Sequence, residues 1–124
     1  MAHRIDRRAF LQMAASIGAT AVFGNPFGTP SSTRWRERRD LFPEGIASGD
    51  PDSTSVLLWT RRPPLTGERQ SETRLHVEVA QDEGFTHVVA TSSVPVSADS
   101  DWTCRALVGG LKPATVYWYR FTDS

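Results

Sequence analysis

Beyond residue 40, apolar and polar residues alternate with a period of two, the pattern of half-buried strands. Over residues 73–80, Leu75, Val77 and Val79 alternate with Arg74, His76 and Glu78, which predicts a strand with the first set inward. Residues 54–61 place Ser55, Leu57 and Trp59 on one face and Val56, Leu58 and Thr60 on the other. Arg62-Pro63-Pro64 ends that strand, because proline has no N–H to give to a ladder. Residues 81–84 predict a turn, and residues 85–91 another strand with Val88 and Val89. A polar stretch, 92–100, follows, with Val94 and Val96 around Pro95. Residues 102–108 set Trp102, Cys104, Ala106 and Val108 on one face before Gly109-Gly110, and residues 115–122 bring Tyr117, Tyr119 and Phe121 together. About six short strands with turn signals between them predict an all-β sandwich.

The first 25 residues read differently. Asp6-Arg7-Arg8-Ala9-Phe10-Leu11-Gln12 precedes an apolar run, 13–23, rich in Ala, Gly and Ser. A basic region followed by a run of this length is a secretory signal and is too short for a membrane span. The alternative is an amphipathic helix of a cytosolic protein. Arg7, Arg8, Phe10 and Leu11 resemble the twin-arginine export signal, with Asp6 and Gln12 where Ser or Thr and Lys are usual. Ala19-Thr20-Ala21 fits a small-residue cleavage site. Pro26, Gly28, Pro30 and Ser31-Ser32 then predict a flexible linker. Its basic end, residues 34–39 around Trp35, reads as solvated chain rather than a lipid or nucleic-acid site. The predicted divisions are a signal segment at 1–25, a linker at 26–40 and a sandwich domain at 41–124.

The net charge of zero hides an asymmetry: residues 1–39 carry +5 and the remainder −5. An acidic domain argues against nucleic-acid binding, which needs a basic face. The single cysteine, Cys104, excludes an internal disulfide and on an inward face acts as a small hydrophobe. His3, His76 and His87 have no ligand-like spacing. Asp50 and Asp52 flank Pro51 as ordinary turn residues, and no further calcium ligands follow them. Asp99 and Asp101 bound another turn. Gly45, Gly49, Gly109 and Gly110 form no phosphate-cradling loop. No nucleophile–base pair is visible, so no catalytic, cofactor-binding or metal-binding residue is expected in this chain.

Leu111-Lys112-Pro113-Ala114-Thr115-Val116-Tyr117 resembles the E–F corner of fibronectin type III domains, where Leu111, Pro113 and Tyr117 would be the structural residues. Trp59 matches the position of that fold's core tryptophan. Phe42-Pro-Glu-Gly-Ile-Ala-Ser-Gly-Asp-Pro-Asp-Ser-Thr-Ser-Val-Leu-Leu-Trp-Thr-Arg61 closely resembles the opening segment of the alkaline phosphatase D (PhoD-like) family. Gln81-Asp82-Glu83-Gly84-Phe85 resembles the middle of that family's N-terminal domain. Asp101-Trp102-Thr103 and the run from Leu111 to Phe121 resemble its end.

The resemblance implies a fibronectin type III or immunoglobulin-like sandwich that precedes a metal-dependent phosphatase or phosphodiesterase domain absent here. It implies iron and calcium for that other domain and none for this chain. It also implies the catalytic domain in cis and the twin-arginine export machinery as partners, with no stable membrane span after signal processing. The location implied is periplasmic, or extracellular and cell-wall. A free-standing secreted fibronectin-like binding module and a non-functional gene fragment are the competing readings.

Two expectations concern the surface. The strand through Phe121 is followed by three residues, so the sandwich is expected to lack its last strand, leaving backbone groups of 116–122 unpaired. Val56, Leu58, Val116 and Trp118 are expected to point outward as an apolar docking face.

Overall fold

The strongest alternation in the sequence lies at the centre of a sheet. In a computed structural model describing residues 7–25, 27–32, 38–49, 52–68 and 72–123, β4 (Thr73–Ala80) buries Leu75, Val77 and Val79 almost completely. It runs antiparallel between β5 (Val88–Val96) and β7 (Trp118–Asp123), forming a three-stranded sheet of order β5-β4-β7. A four-stranded sheet packs on it, of order β1-β6-β3-β2, built from β1 (Thr20–Phe23), β2 (Ile46–Gly49), β3 (Val56–Arg61) and β6 (Thr103–Gly109). The inner faces meet in one core that includes Leu58, Leu75, Val77, Val96, Trp102, Cys104, Ala106, Val108 and Phe121. The chain is the all-β sandwich that its alternation predicts.

The inner face of β3 is the reverse of the sequence reading. Leu58 and Thr60 are buried, and Val56 packs against the core, while Leu57 and Trp59 lie on the outer face, partly exposed. Trp59 is therefore not the core tryptophan; Trp102 is. Alternation groups residues by face without saying which face is inner, and both faces of β3 carry apolar residues. Thr60 tolerates the core because its hydroxyl donates to the carbonyl of Gly45, 2.9 Å away.

β5 continues through Val94, Pro95 and Val96 where the sequence suggests an irregular polar stretch. Pro95 is tolerated because β5 is the outermost strand of its sheet and its outer side needs no donor there. A register shift opposite Val79 and Ala80 marks a bulge. Val88 then packs with Ala80 and Phe85, while Val89 joins the main core.

Residues 7–23 belong to the folded structure. α1 (Arg7–Ser16) leads into β1, which pairs in parallel with the edge of β6, Thr20 opposite Ala106 and Phe23 opposite Gly109. The reading of the following residues as flexible linker is corrected for residues 27–31, and residues 24 and 25 before them are anchored too. Gly24 donates to Gly109 (2.7 Å), Asn25 donates to Val89, Thr29 and Val88 exchange two backbone bonds (2.9 and 2.8 Å), and Ser31 donates to Phe85 (3.0 Å). This strap crosses from the β6 side of one sheet to the β5 side of the other. Gly28 is required in it, with φ +57° and a Cβ position only 2.3 Å from the His87 ring.

Candidate interaction surface

Opposite the strap, the sandwich is open. β2 and β7 are the outermost strands there, and among the described residues no strand pairs with their outer edges. Between them lies a groove of about 380 Å³. Val56, Leu58, Val79, Tyr117 and Tyr119 give it apolar walls, and Ser48, Asp52 and Lys112 a polar rim.

The corner before β7 fixes this side. The Tyr117 hydroxyl accepts the backbone N–H of Lys112 at 2.9 Å. Leu111 is buried and donates to the Thr54 carbonyl at 3.0 Å, while Pro113 is exposed. The chain thus crosses between sheets with the start of the turn held by Thr54 and by the Tyr117 hydroxyl from its far end, the arrangement of a tyrosine corner.

Of the four residues expected on an apolar docking face, Val116 (70% exposed) and Trp118 (37%) lie at the surface. Leu58 (1%) is a core residue, and Val56 is half-buried at the groove wall. The proposed four-residue face is therefore corrected to two: reversal of β3 takes Val56 and Leu58 inward.

A second apolar surface was not legible in the sequence reading. Leu57 of β3 and Leu107 of β6 lie on the outer face of the four-stranded sheet, and α1 covers them with Phe10 and Ala14. Phe10 also stacks at a tilt on Phe23, with ring centroids 4.9 Å apart. Leu57 beside Leu58, and Leu107 beside Val108, are the signal: apolar residues on both faces of a strand require a cover on each side. Among the export-signal residues, Arg7 opens α1, Arg8 is exposed, Phe10 is buried and Leu11 is 45% exposed.

Two buried ion pairs brace the three-stranded sheet. Arg120 on β7 reaches Glu78 on β4 at 3.1 Å, donates to the Ser31 hydroxyl at 2.9 Å and lies 4.0 Å over the Phe85 ring. Arg62, at the end of β3, joins the sheets by binding Asp123 at 2.9 Å, with Glu68 at 3.3 Å. Glu78 was expected to face water; it is outward in register but covered, and Arg120 compensates its charge.

The remaining polar residues hold turns together. Asp82 accepts from the Thr86 hydroxyl (2.6 Å), the Thr86 N–H (3.0 Å) and the His87 N–H (2.8 Å). These bonds, the Thr86 side chain's foremost, hold its carboxyl below the usual carboxylate range. Asp101 takes a left-handed conformation and pairs with Arg61 at 3.1 Å. Burial pushes the Cys104 thiol up to about 12, leaving no thiolate for nucleophilic work at neutral pH. Asp52 accepts the N–H of Ser53 at 2.7 Å. His3, Asp6, Asp50, Pro51 and residues 34–37 lie outside the described residues.

Among the described residues no three His, Cys, Asp or Glu side chains gather into a metal-sized group, and Asp82 and Glu78 are committed to hydrogen bonds within the fold.

Two packed sheets with a tyrosine-pinned corner define a β-sandwich domain, open on one side among the described residues. Residues 28–124 match the family described as PhoD-like phosphatase, N-terminal domain, and the chain belongs to that family. It is 39% identical over 126 residues to alkaline phosphatase D of Bacillus subtilis (strain 168), a match covering 94% of this chain and 21% of that protein. The solved structure described as "Structure of PhoD" superposes with a TM-score of 0.62 at 36% identity, over 67% of this chain and 17% of that one. The chain thus spans about a fifth of the length of the curated relative it matches.

Proposed function

We propose that this chain is the non-catalytic N-terminal portion of an exported PhoD-like alkaline phosphatase or phosphodiesterase, bracing a metal-dependent phosphoesterase domain of the longer protein. The observation that carries this reading is the open side. Among the described residues, a sandwich filled and strapped elsewhere leaves the β7 edge unpaired beside an apolar groove and presents Val116 and Trp118. Free strand edges and clustered exposed apolar groups are disfavoured on isolated domains and are ordinary where another domain packs. Export by the twin-arginine route, to the periplasm or the extracellular and cell-wall space, is supported by Arg7, Arg8, Phe10 and Leu11. Among the described residues no helix is long and apolar enough to cross a membrane.

The test grafts this domain into Bacillus subtilis alkaline phosphatase D in place of its own. The graft should retain phosphoesterase activity. Val116→Lys with Trp118→Lys in the graft should remove most of the activity and stability while the isolated domain still folds. An unchanged graft would turn the reading towards a free-standing binding module, and hydrolysis of p-nitrophenyl phosphate by the isolated chain would end it.

A further inference from the structure

We infer that the N-terminal leader is latched onto its own folded domain, so that the export signal is only half displayed until α1 and β1 detach. The inference rests on the export reading above for what the latch regulates, but the latch itself rests on geometry.

Three contacts make it. Phe10, inside the Arg-Arg-x-Phe-Leu pattern, is 5% exposed and packs with Ala14 against Leu107, with Leu57, Met13, Ala19 and Ala21 around them. β1 adds to the edge of β6 over four register pairs. Gly109 supplies the floor: a Cβ there would lie 2.7 Å from the Phe10 ring, closer than packed atoms tolerate. Gly24 makes a matching approach, its Cβ position 3.1 Å from the carbonyl oxygens of Gly109 and Gly110. A surface without side chains at 109 and 110, flanked by outward Leu57 and Leu107, has no use in the sandwich core. It fits the leader.

The docking site exists only once β6 has paired with β3, because Leu57 and Leu107 come together through that pairing. The latch therefore closes on a folded domain and not on a nascent one. While it is closed, Arg8 is exposed but Phe10 is hidden, so a receptor reading both must pull α1 away. The small-residue site Ala19-Thr20-Ala21 runs into β1, with Thr20 and Ala21 opposite Ala106 and Leu107. Peptidases commonly take substrate as an extended strand paired to their own edge, and a strand already paired to β6 cannot be taken that way. Latching thus shields the leader's apolar face and its cleavage site until the export machinery competes for it.

The test uses two substitutions on the domain, Gly109→Val and Leu57→Ser, which leave the leader sequence intact. Hydrogen exchange of the full chain should show residues 17–25 protected in the wild type. Each variant should exchange there roughly tenfold faster or more, with β4 and β7 unchanged as the control for folding. In cells, both variants should be processed faster than wild type. Intrinsic exchange rates at 17–25 in the wild type, or equal protection in wild type and Gly109→Val, would overturn the latch. Loss of protection with unaltered processing would overturn its role in display. Arg7→Lys with Arg8→Lys separates the two ideas: export unaffected by that change refutes the twin-arginine reading while the exchange result on the latch stands.

Discussion

The two sides of the sandwich solve the same problem in opposite ways. On the side of β6 and β5, the chain bonds to itself: β1 pairs with β6, and Asn25 and Thr29 bond to Val89 and Val88 at the start of β5. On the side of β2 and β7, the edges and the groove between them are uncovered among the described residues. A backbone edge costs nothing in water but attracts other strands. The two sides therefore differ in how much of their backbone the chain itself satisfies, and under the proposed function the uncovered side is the one that meets the following domain.

The largest expected effect is on the ion pair that ties β7 to β4 and to the strap. Arg120→Ala leaves Glu78 as a buried, uncompensated charge and removes the bond to the Ser31 hydroxyl of the strap. It should cost about 3–5 kcal/mol in urea unfolding. A loss below about 1 kcal/mol would mean that the strap and the ion pair contribute little to stability. Next is the corner beside the groove. Tyr117→Phe removes the acceptor of the Lys112 N–H and should lower stability by about 1 kcal/mol, read as a lower thermal midpoint. An unchanged midpoint would show that water replaces the hydroxyl and that the corner is not pinned by it. Smallest is Trp118→Lys in the isolated chain, expected within about 0.5 kcal/mol of wild type because the residue borders solvent. A large loss would show that the open side is packed on something within the chain, and the contrast between the sides would fail.

The sequence made the strands legible because burial imposes alternation, and β4 shows it: Leu75, Val77 and Val79 are inward as their pattern predicts. It was ambiguous wherever both faces are apolar. In β3, Leu57 and Leu58 are equally hydrophobic, and the decision depends on a cover for the outer face that arrives from Phe10, far away in sequence. Pro95 looked like a strand breaker because a sequence does not declare which strand is outermost. The strap was read as linker because glycine and proline mark irregular backbone, and irregular backbone can still be anchored, as Thr29 and Ser31 are. β7 was legible as a strand because Tyr117, Tyr119 and Phe121 give it alternation, and among the described residues it pairs with β4.

Pro95 and the free edge of β7 together set a limit on self-assembly. A sheet grows into a fibre only if each copy offers two edges, one to receive a neighbour and one to pass the pattern on. In the three-stranded sheet one edge is spoiled by a proline and bridged by Thr29, while the other has no strand partner among the described residues. Two copies can join through β7 in that sheet, and there the growth stops. The molecule carries a chain terminator in the same sheet as its adhesive strand.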